Sequence, residues 1–287
     1  MEPINFQKYH GIGNDFIIID GQDSNLPYNI TSPKKDFVKK ITNRNFGIGA
    51  DGIILILPSN TNNCNVKMKI FNSDGTEPEM CGNGIRCLVK YILDNTPEKL
   101  LDDFKVETLA GDIPIKLDIN NNIVVDMGVP ILTPPEIPTY LKIGKNGIPQ
   151  DWLTIGEKSL FVSAISMGNP HAVVEVDQLY DCDINLLGPE LEIHPKFPKH
   201  TNVHFIKIIR ENYIEALVWE RGCGTTLACG TGACAIVAIL SKLGKCSQNS
   251  VVKLPGGELS IHWPQFGESI YMSGSAEYVY KGQLTIS

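Results

Sequence analysis

Two short stretches set a thiol among small residues in front of an apolar run. In "EMCGNGIRCLVKYIL", Cys81 is followed by Gly82, Asn83 and Gly84; in "LACGTGACAIVAIL", Cys229 is followed by Gly230, Thr231 and Gly232. A cysteine at a helix start faces backbone N–H groups that have no partner inside the helix, and the helix dipole favours negative charge there. Such a thiol ionises more readily than a free cysteine, and the same N–H groups can hold a substrate carboxylate. The glycines let a ligand approach the backbone closely. One such motif reads equally well as a tight helix entry packed on glycine; two copies point to paired chemistry. If two thiols meet one carboxylate-bearing carbon from opposite faces, one thiolate removes the α-proton and the other thiol returns a proton on the far side. The configuration inverts, as in racemisation or epimerisation of an α-amino acid. Sulfur suits the task because its pKa lies near neutrality. The growing enolate charge calls for preorganised dipoles, which two helix N-termini supply.

The elements that must position these thiols repeat along the chain. Cys81-Gly-Asn-Gly-Ile matches Cys229-Gly-Thr-Gly-Ala at an offset of 229 − 81 = 148, and Ile12-Gly13-Asn14-Asp15 matches Met167-Gly168-Asn169-Pro170 at 169 − 14 = 155. "VETLAGDIPI" matches "VVKLPGGELSI", and "VDMGVP" resembles "IYMSGS", in the same order. Such ordered self-similarity marks a duplicated unit. "FIIID", "GIILIL" and "NVKMKIFN" read as strands in the first copy, and "HAVVEV", "NVHFIKII" and "YIEALVWE" in the second. Each copy has one strongly helical segment after its Cys-Gly-x-Gly; the second runs from Gly232 to Leu243 and stops before Gly244. Strands outnumber helices, so the fold class is α+β with two similar lobes. The proline-rich "MGVPILTPPEIPTY" marks a linker. The lobes are expected at 1–129, completed by a C-terminal strand at 275–287, and at 130–274, with the active site in the cleft between them.

Composition narrows the partners. The chain has 287 residues, a formal net charge of -7 and no basic tract, which argues against nucleic acid. No apolar run approaches the roughly 20 residues a membrane span needs, and "MEPINFQKYHGIGND" lacks a signal-peptide apolar region. Of eight cysteines none is spaced C-x-x-C, and six read as reduced, mostly buried thiols of a cytoplasmic protein. Cys87 and Cys234 fall inside apolar helical runs and read as core; Cys223, in "RGCGTT", has no assigned role. Spacings of five residues between Cys81 and Cys87 and four between Cys229 and Cys234 suit a tetrahedral zinc site poorly, so no metal is expected.

Several blocks together resemble the diaminopimelate epimerase family: "KYHGIGNDFIIID", "FNSDGTEPEMCGNGIRC", "SMGNPHAVVEV", "TNVHFI", "ERGCGTTLACGTGAC" and "LPGGEL". The resemblance covers essentially the whole chain. It implies conversion of LL-2,6-diaminopimelate to the meso form without pyridoxal phosphate or any other cofactor, on the route to lysine and peptidoglycan precursors. It also implies two lobes, each a β-barrel-like sheet around a central helix, and a homodimer in which Tyr280 contributes to the contact. By the same resemblance Cys81 and Cys229 are the catalytic thiols, and His171 and Glu220 support the chemistry and hold the reacting amino group. Asn14 and Asn169 are polar ligands of the substrate; Asn72, Asn202 and Arg221 read its distal amino-acid end. Gly82-Asn83 and Gly230-Thr231 supply the backbone donors. The chain departs at Ala50-Asp51-Gly52, where many members carry Phe-Asp-Gln, so Gly52 cannot make the glutamine's contact. A proline racemase or phenazine-type isomerase would share the fold, but needs no reader for a second amino-acid end. A cysteine hydrolase built on Cys81 and His171 would leave Cys229 unexplained.

Overall fold

The computed structural model describes residues 3–22, 26, 28–97, 103–118 and 122–285. In chain order the strands are β1 (Ile4–Gly11), β2 (Asn14–Asp20), β3 (Gly52–Leu57), β4 (Val66–Asn72), β5 (Lys105–Thr108), β6 (Gly111–Leu117), β7 (Ile123–Asp126), β8 (Lys142–Ile143), β9 (Pro149–Ile155), β10 (Lys158–Ser166), β11 (Pro170–Glu175), β12 (Asn202–Arg210), β13 (Tyr213–Glu220), β14 (Gly224–Thr226), β15 (Asn249–Leu254), β16 (Gly257–His262), β17 (Tyr271–Ser273) and β18 (Glu277–Leu284). The α-helices are α1 (Tyr28–Thr31), α2 (Lys35–Thr42), α3 (Gly82–Asn95), α4 (Ile184–Glu192) and α5 (Gly230–Lys242). Two compact units emerge, one from 1–125 with 274–287 and the other from 126–273. Among the described residues no helix is long and apolar enough to cross a membrane.

The duplication is visible in strand pairing. In the first unit the successive pairs β1/β2, β2/β3, β3/β4, β4/β5, β5/β6 and β6/β7 run antiparallel, parallel, antiparallel, parallel, antiparallel, antiparallel. In the second, β10/β11, β11/β12, β12/β13, β13/β15, β15/β16 and β16/β17 follow the same succession. Outside β1 lies β18, antiparallel, as β9 lies outside β10. The first unit's flanking strand thus comes from the far end of the chain, whereas the second unit takes its own from just upstream.

Each sheet packs on one helix. α3 touches β1, β2, β3, β4 and β18; α5 touches β10, β11, β12, β15, β16 and β17. The sequence of α5 explains its place: from Gly232 to Ser241 every residue is buried. A helix apolar all round must sit inside a core. Ile236, Val237, Ile239 and Leu240 are all essentially buried, each stabilising by about 1.5–3 kcal/mol. α5 starts two residues before the expected Gly232, because Cys229 itself caps it. It ends in a Schellman turn: Gly244 N–H bonds to the Ser241 carbonyl, Lys245 N–H to that of Leu240, and Gly244 takes the left-handed φ of 72°.

The proline-rich stretch behaves differently from a linker. Ile131 bridges to Ser166, and Ile137 is buried in the core of the second unit. Proline interrupts regular structure there, but the apolar residues between the prolines still anchor the segment.

Candidate active site

Both thiols cap their helices. Cys81 and Cys229 have extended backbones (φ −144°, ψ 113° and φ −134°, ψ 108°), and each sulfur accepts the N–H three residues on, from Gly84 and Gly232, at 3.4 Å. This position is ordinarily filled by Ser, Thr, Asp or Asn, whose oxygen accepts the same bond. A sulfur there sits at the positive end of the dipole, which favours its anionic form.

In the first unit Asn14 lies just past the β1–β2 hairpin, whose two turn residues, Ile12 and Gly13, have φ of 48° and 89°. Positive φ at both is what a tight two-residue hairpin requires. Asp51 accepts from the Asn14 amide nitrogen at 2.9 Å, which turns Asn14 Oδ1 toward Asn83 Nδ2 at 3.2 Å and the Cys81 sulfur at 4.0 Å. Fully buried Arg86 donates to Asn83 Oδ1 at 2.9 Å. Behind Asn14, Asp15 takes two bonds from Arg44 and an ion pair from Lys8 at 2.8 Å. Burial would raise the Asp15 pKa, but the Arg44 and Lys8 contacts outweigh it and hold the carboxyl at about 2.

In the second unit Gly168, φ 89°, precedes Asn169 as Gly13 precedes Asn14. Asn169 Oδ1 lies 2.9 Å from His171 Nε2, and His171 Nδ1 lies 2.8 Å from His204 Nε2. Both imidazoles are fully buried. Burial lowers the His171 pKa well below its ordinary value, with smaller contributions from His204 and Arg221, and pushes that of His204 down to about 3. Both are neutral near pH 7. One nitrogen of each lies within 4.8 Å of the Cys229 sulfur. By residue type this trio could ligate a soft cation, but His171 Nδ1 and His204 Nε2, 2.8 Å apart, face each other as a hydrogen-bonded pair. Thr231 Oγ1 is 3.5 Å from the Cys229 sulfur.

Strand register relates the remaining residues. Phe16 pairs with Gly52 and Gly52 with Asn72; His171 pairs with Asn202, and one step beyond Val203↔Trp219 Asn202 faces Glu220. Asn72 and Glu220 are therefore counterparts, nine residues before Cys81 and Cys229 respectively. Asn72 donates to Thr76 Oγ1 at 3.0 Å, and Glu220 accepts from the Thr226 hydroxyl at 2.6 Å. Asn202 is buried, with its amide donating to the Pro170 carbonyl and accepting from Arg221 N–H; this holds the turn that carries Arg221. The exposed Arg221 guanidinium donates to the Lys199 carbonyl at 3.1 Å. Glu192 of α4 accepts from Trp219 Nε1 and Gly222 N–H and braces the same turn.

Of the six cysteines expected to be mostly buried, Cys87, Cys234 and Cys246 are, whereas Cys64 and Cys182 are half-buried and Cys223 is exposed on that turn. Burial pushes the Cys87 thiol far up, so it stays protonated. Tyr280 is partly exposed on β18, its hydroxyl donating to the Ile48 carbonyl. Two residues were not anticipated. Asp51, which orients Asn14, stands in sequence only as the neighbour of Gly52. His204, hidden in the apolar "NVHFIKII", stands where the first unit has Ile54; aligning the two copies strand by strand exposes the exchange.

The fold of two duplicated sheet-and-helix units is shared by several solved structures. A phenazine biosynthesis protein of the PhzF family from Bacillus anthracis matches with a TM-score of 0.70 at 17% identity, covering 100% of both chains. A hydroxyproline epimerase from Agrobacterium vitis matches at 0.68 and 14%, covering 99% of this chain and 91% of that one. The sequence profile of diaminopimelate epimerase matches residues 6–133 and 163–279. A diaminopimelate epimerase of Prochlorococcus marinus (strain NATL1A) is 50% identical over 282 residues, covering 98% of this chain and 99% of the relative. The chain belongs to the diaminopimelate epimerase family.

Proposed function

We propose that this protein is an isomerase that interconverts LL- and meso-diaminopimelate by proton exchange at one α-carbon, in the route to lysine. The observation that carries the reading is the matched pair of cysteine N-caps, Cys81 and Cys229, in two units of one ancestry. One sulfur, as thiolate, takes the α-proton; the other, as thiol, gives its proton to the opposite face. No electrons are gained or lost, and the two sulfurs exchange protonation states. The α-carboxylate lies against the first N–H groups of α3 and α5, at Gly82-Asn83 and Gly230-Thr231, where its growing enolate charge meets two positive helix ends. Asn14 and Asn169 orient the substrate, and His171 and Glu220 hold the reacting amino group. Asn72, Asn202 and Arg221 read the distal amino acid, where a planar guanidinium suits a carboxylate. The chemistry asks nothing of pyridoxal phosphate or a metal. The requirement for reduced sulfur suits the cytoplasm, and the exposed Tyr278, Val279 and Tyr280 on β18 suit a homodimer contact.

The test is solvent labelling in D₂O. With two opposed groups, early meso product carries deuterium at the inverted carbon while unreacted LL substrate stays protonated. Early product that retains the original proton would refute the two-thiol mechanism. Turnover of L-proline in place of diaminopimelate would refute the substrate.

A further inference from the structure

The His171–His204 pair is not demanded by the fold. In the first unit the counterparts are Phe16 and Ile54, and the Gly84 position packs against Ile54 at 3.2 Å where the Gly232 position packs against His204. The imidazole is wedged under the start of α5: a Cβ on Gly232 would fall 2.2 Å from His204 Cε1 and 2.9 Å from its Nδ1. His204 therefore has one orientation, and it spends that orientation on His171.

Proton counting then fixes both rings. Each is buried and neutral, so each carries one ring proton. Asn169 Oδ1 accepts only, so the proton of His171 is on Nε2. Its Nδ1 is then a bare acceptor, and the proton in the 2.8 Å contact must come from His204 Nε2. That leaves His204 Nδ1 bare, and among the described residues no hydrogen bond reaches it. The opposite arrangement would put the proton on His171 Nδ1, turn the Asn169 amide over, and bury an N–H on His204 Nδ1 with no acceptor. An unmet acceptor inside a protein is tolerated better than an unmet donor.

We propose that His204 is a positioning residue that locks the proton of His171 on Nε2, so that His171 donates to Asn169 Oδ1, fixes the orientation of that amide and does not act as a base. Proton removal and return then belong to the two sulfurs alone. This inference deepens the epimerase reading, but its first test stands apart from that reading. In protein labelled with ¹⁵N-histidine, two-bond proton–nitrogen NMR correlations separate protonated from bare ring nitrogens. The expected result near neutral pH is a protonated Nε2 and bare Nδ1 on both residues, with peaks assigned by their loss in His204→Gln. A proton on His171 Nδ1, or shared between its two nitrogens, overturns the proposal whatever the enzyme turns over. The second test is kinetic. His204→Gln keeps an N–H donor near the same point and retains kcat/KM to within about threefold. His204→Glu accepts instead, draws the proton to His171 Nδ1, and lowers kcat/KM by at least about a hundredfold. Equal losses in the two variants would overturn it. Where neither variant folds, the wild-type spectrum decides. Absence of diaminopimelate turnover would sink the proposed function and leave the NMR result standing.

Discussion

Gly84 and Gly232 occupy the same third position of their helices, so alanine offers both the same gain in helix propensity, about 1 kcal/mol. Their surroundings differ. A Cβ on Gly84 meets the methyl ends of Ile70 and Ile54 at 3.1 and 3.2 Å, and those ends can give by a few tenths of an ångström. A Cβ on Gly232 meets the His204 ring at 2.2 Å, and that ring is fully buried and bonded to His171. Overpacking costs about 1–3 kcal/mol. The low end applies to Gly84→Ala, where cost and gain cancel. The high end applies to Gly232→Ala, leaving a net loss of about 2 kcal/mol, which in a chain of this size lowers Tm by about 3 °C. Thermal scans of both variants beside the parent, followed by circular dichroism, measure the difference directly. If Gly232→Ala melts at or above Gly84→Ala, the wedge between His204 and α5 does not exist as described.

Cys81→Ala and Cys229→Ala should each reduce epimerisation by more than about a thousandfold while leaving the circular dichroism spectrum unchanged; full activity in either ends the two-thiol reading. Because the Asp15 carboxyl is held at about 2 in the folded protein, the stability it contributes is complete above the ordinary carboxylate range. It is lost as pH falls from about 4 toward 2. Urea midpoints at pH 6, 4 and 3 should therefore fall less steeply in Asp15→Asn than in the parent. Exhaustive dialysis against EDTA, in thiol reductant, should leave turnover unchanged, and restoration by added pyridoxal phosphate or zinc would contradict the mechanism.

The thiols, the duplication and the two lobes were legible because each leaves a local mark. A cysteine between small residues before an apolar run is a capping pattern, and repeated glycines mark backbone positions that tolerate no side chain. Gly13 and Gly168, both at φ 89°, are of that kind. The hydrogen-bond partners were not legible. Asp51 reaches Asn14 because parallel β2 and β3 set Phe16 beside Gly52, a juxtaposition that spans 36 residues of chain. Asn202 reads in sequence as a substrate ligand, and its bonds to the Pro170 carbonyl and Arg221 N–H come only from strand register. His204 was hidden for a simpler reason. A histidine in a β-branched run is commonly a satisfied core residue, and only its replacement of Ile54 across the repeat marks it as chosen. The proline-rich stretch failed the other way, since proline content reports where regular structure stops but not whether the apolar residues between are anchored.

The pairing of β18 with β1, from Ile4↔Leu284 to His10↔Glu277, imposes an order of assembly during synthesis. Every strand of the unit 126–273 is translated before β18, so β1 is made long before its outer partner. Until β18 arrives, β1 presents a row of unmet N–H and C=O groups along one side, a template for any other nascent strand. Crowded polysomes and slow translation through the second unit both lengthen that interval. Refolding of the diluted, full-length chain contains no such interval, and so should yield more native protein than synthesis without chaperones.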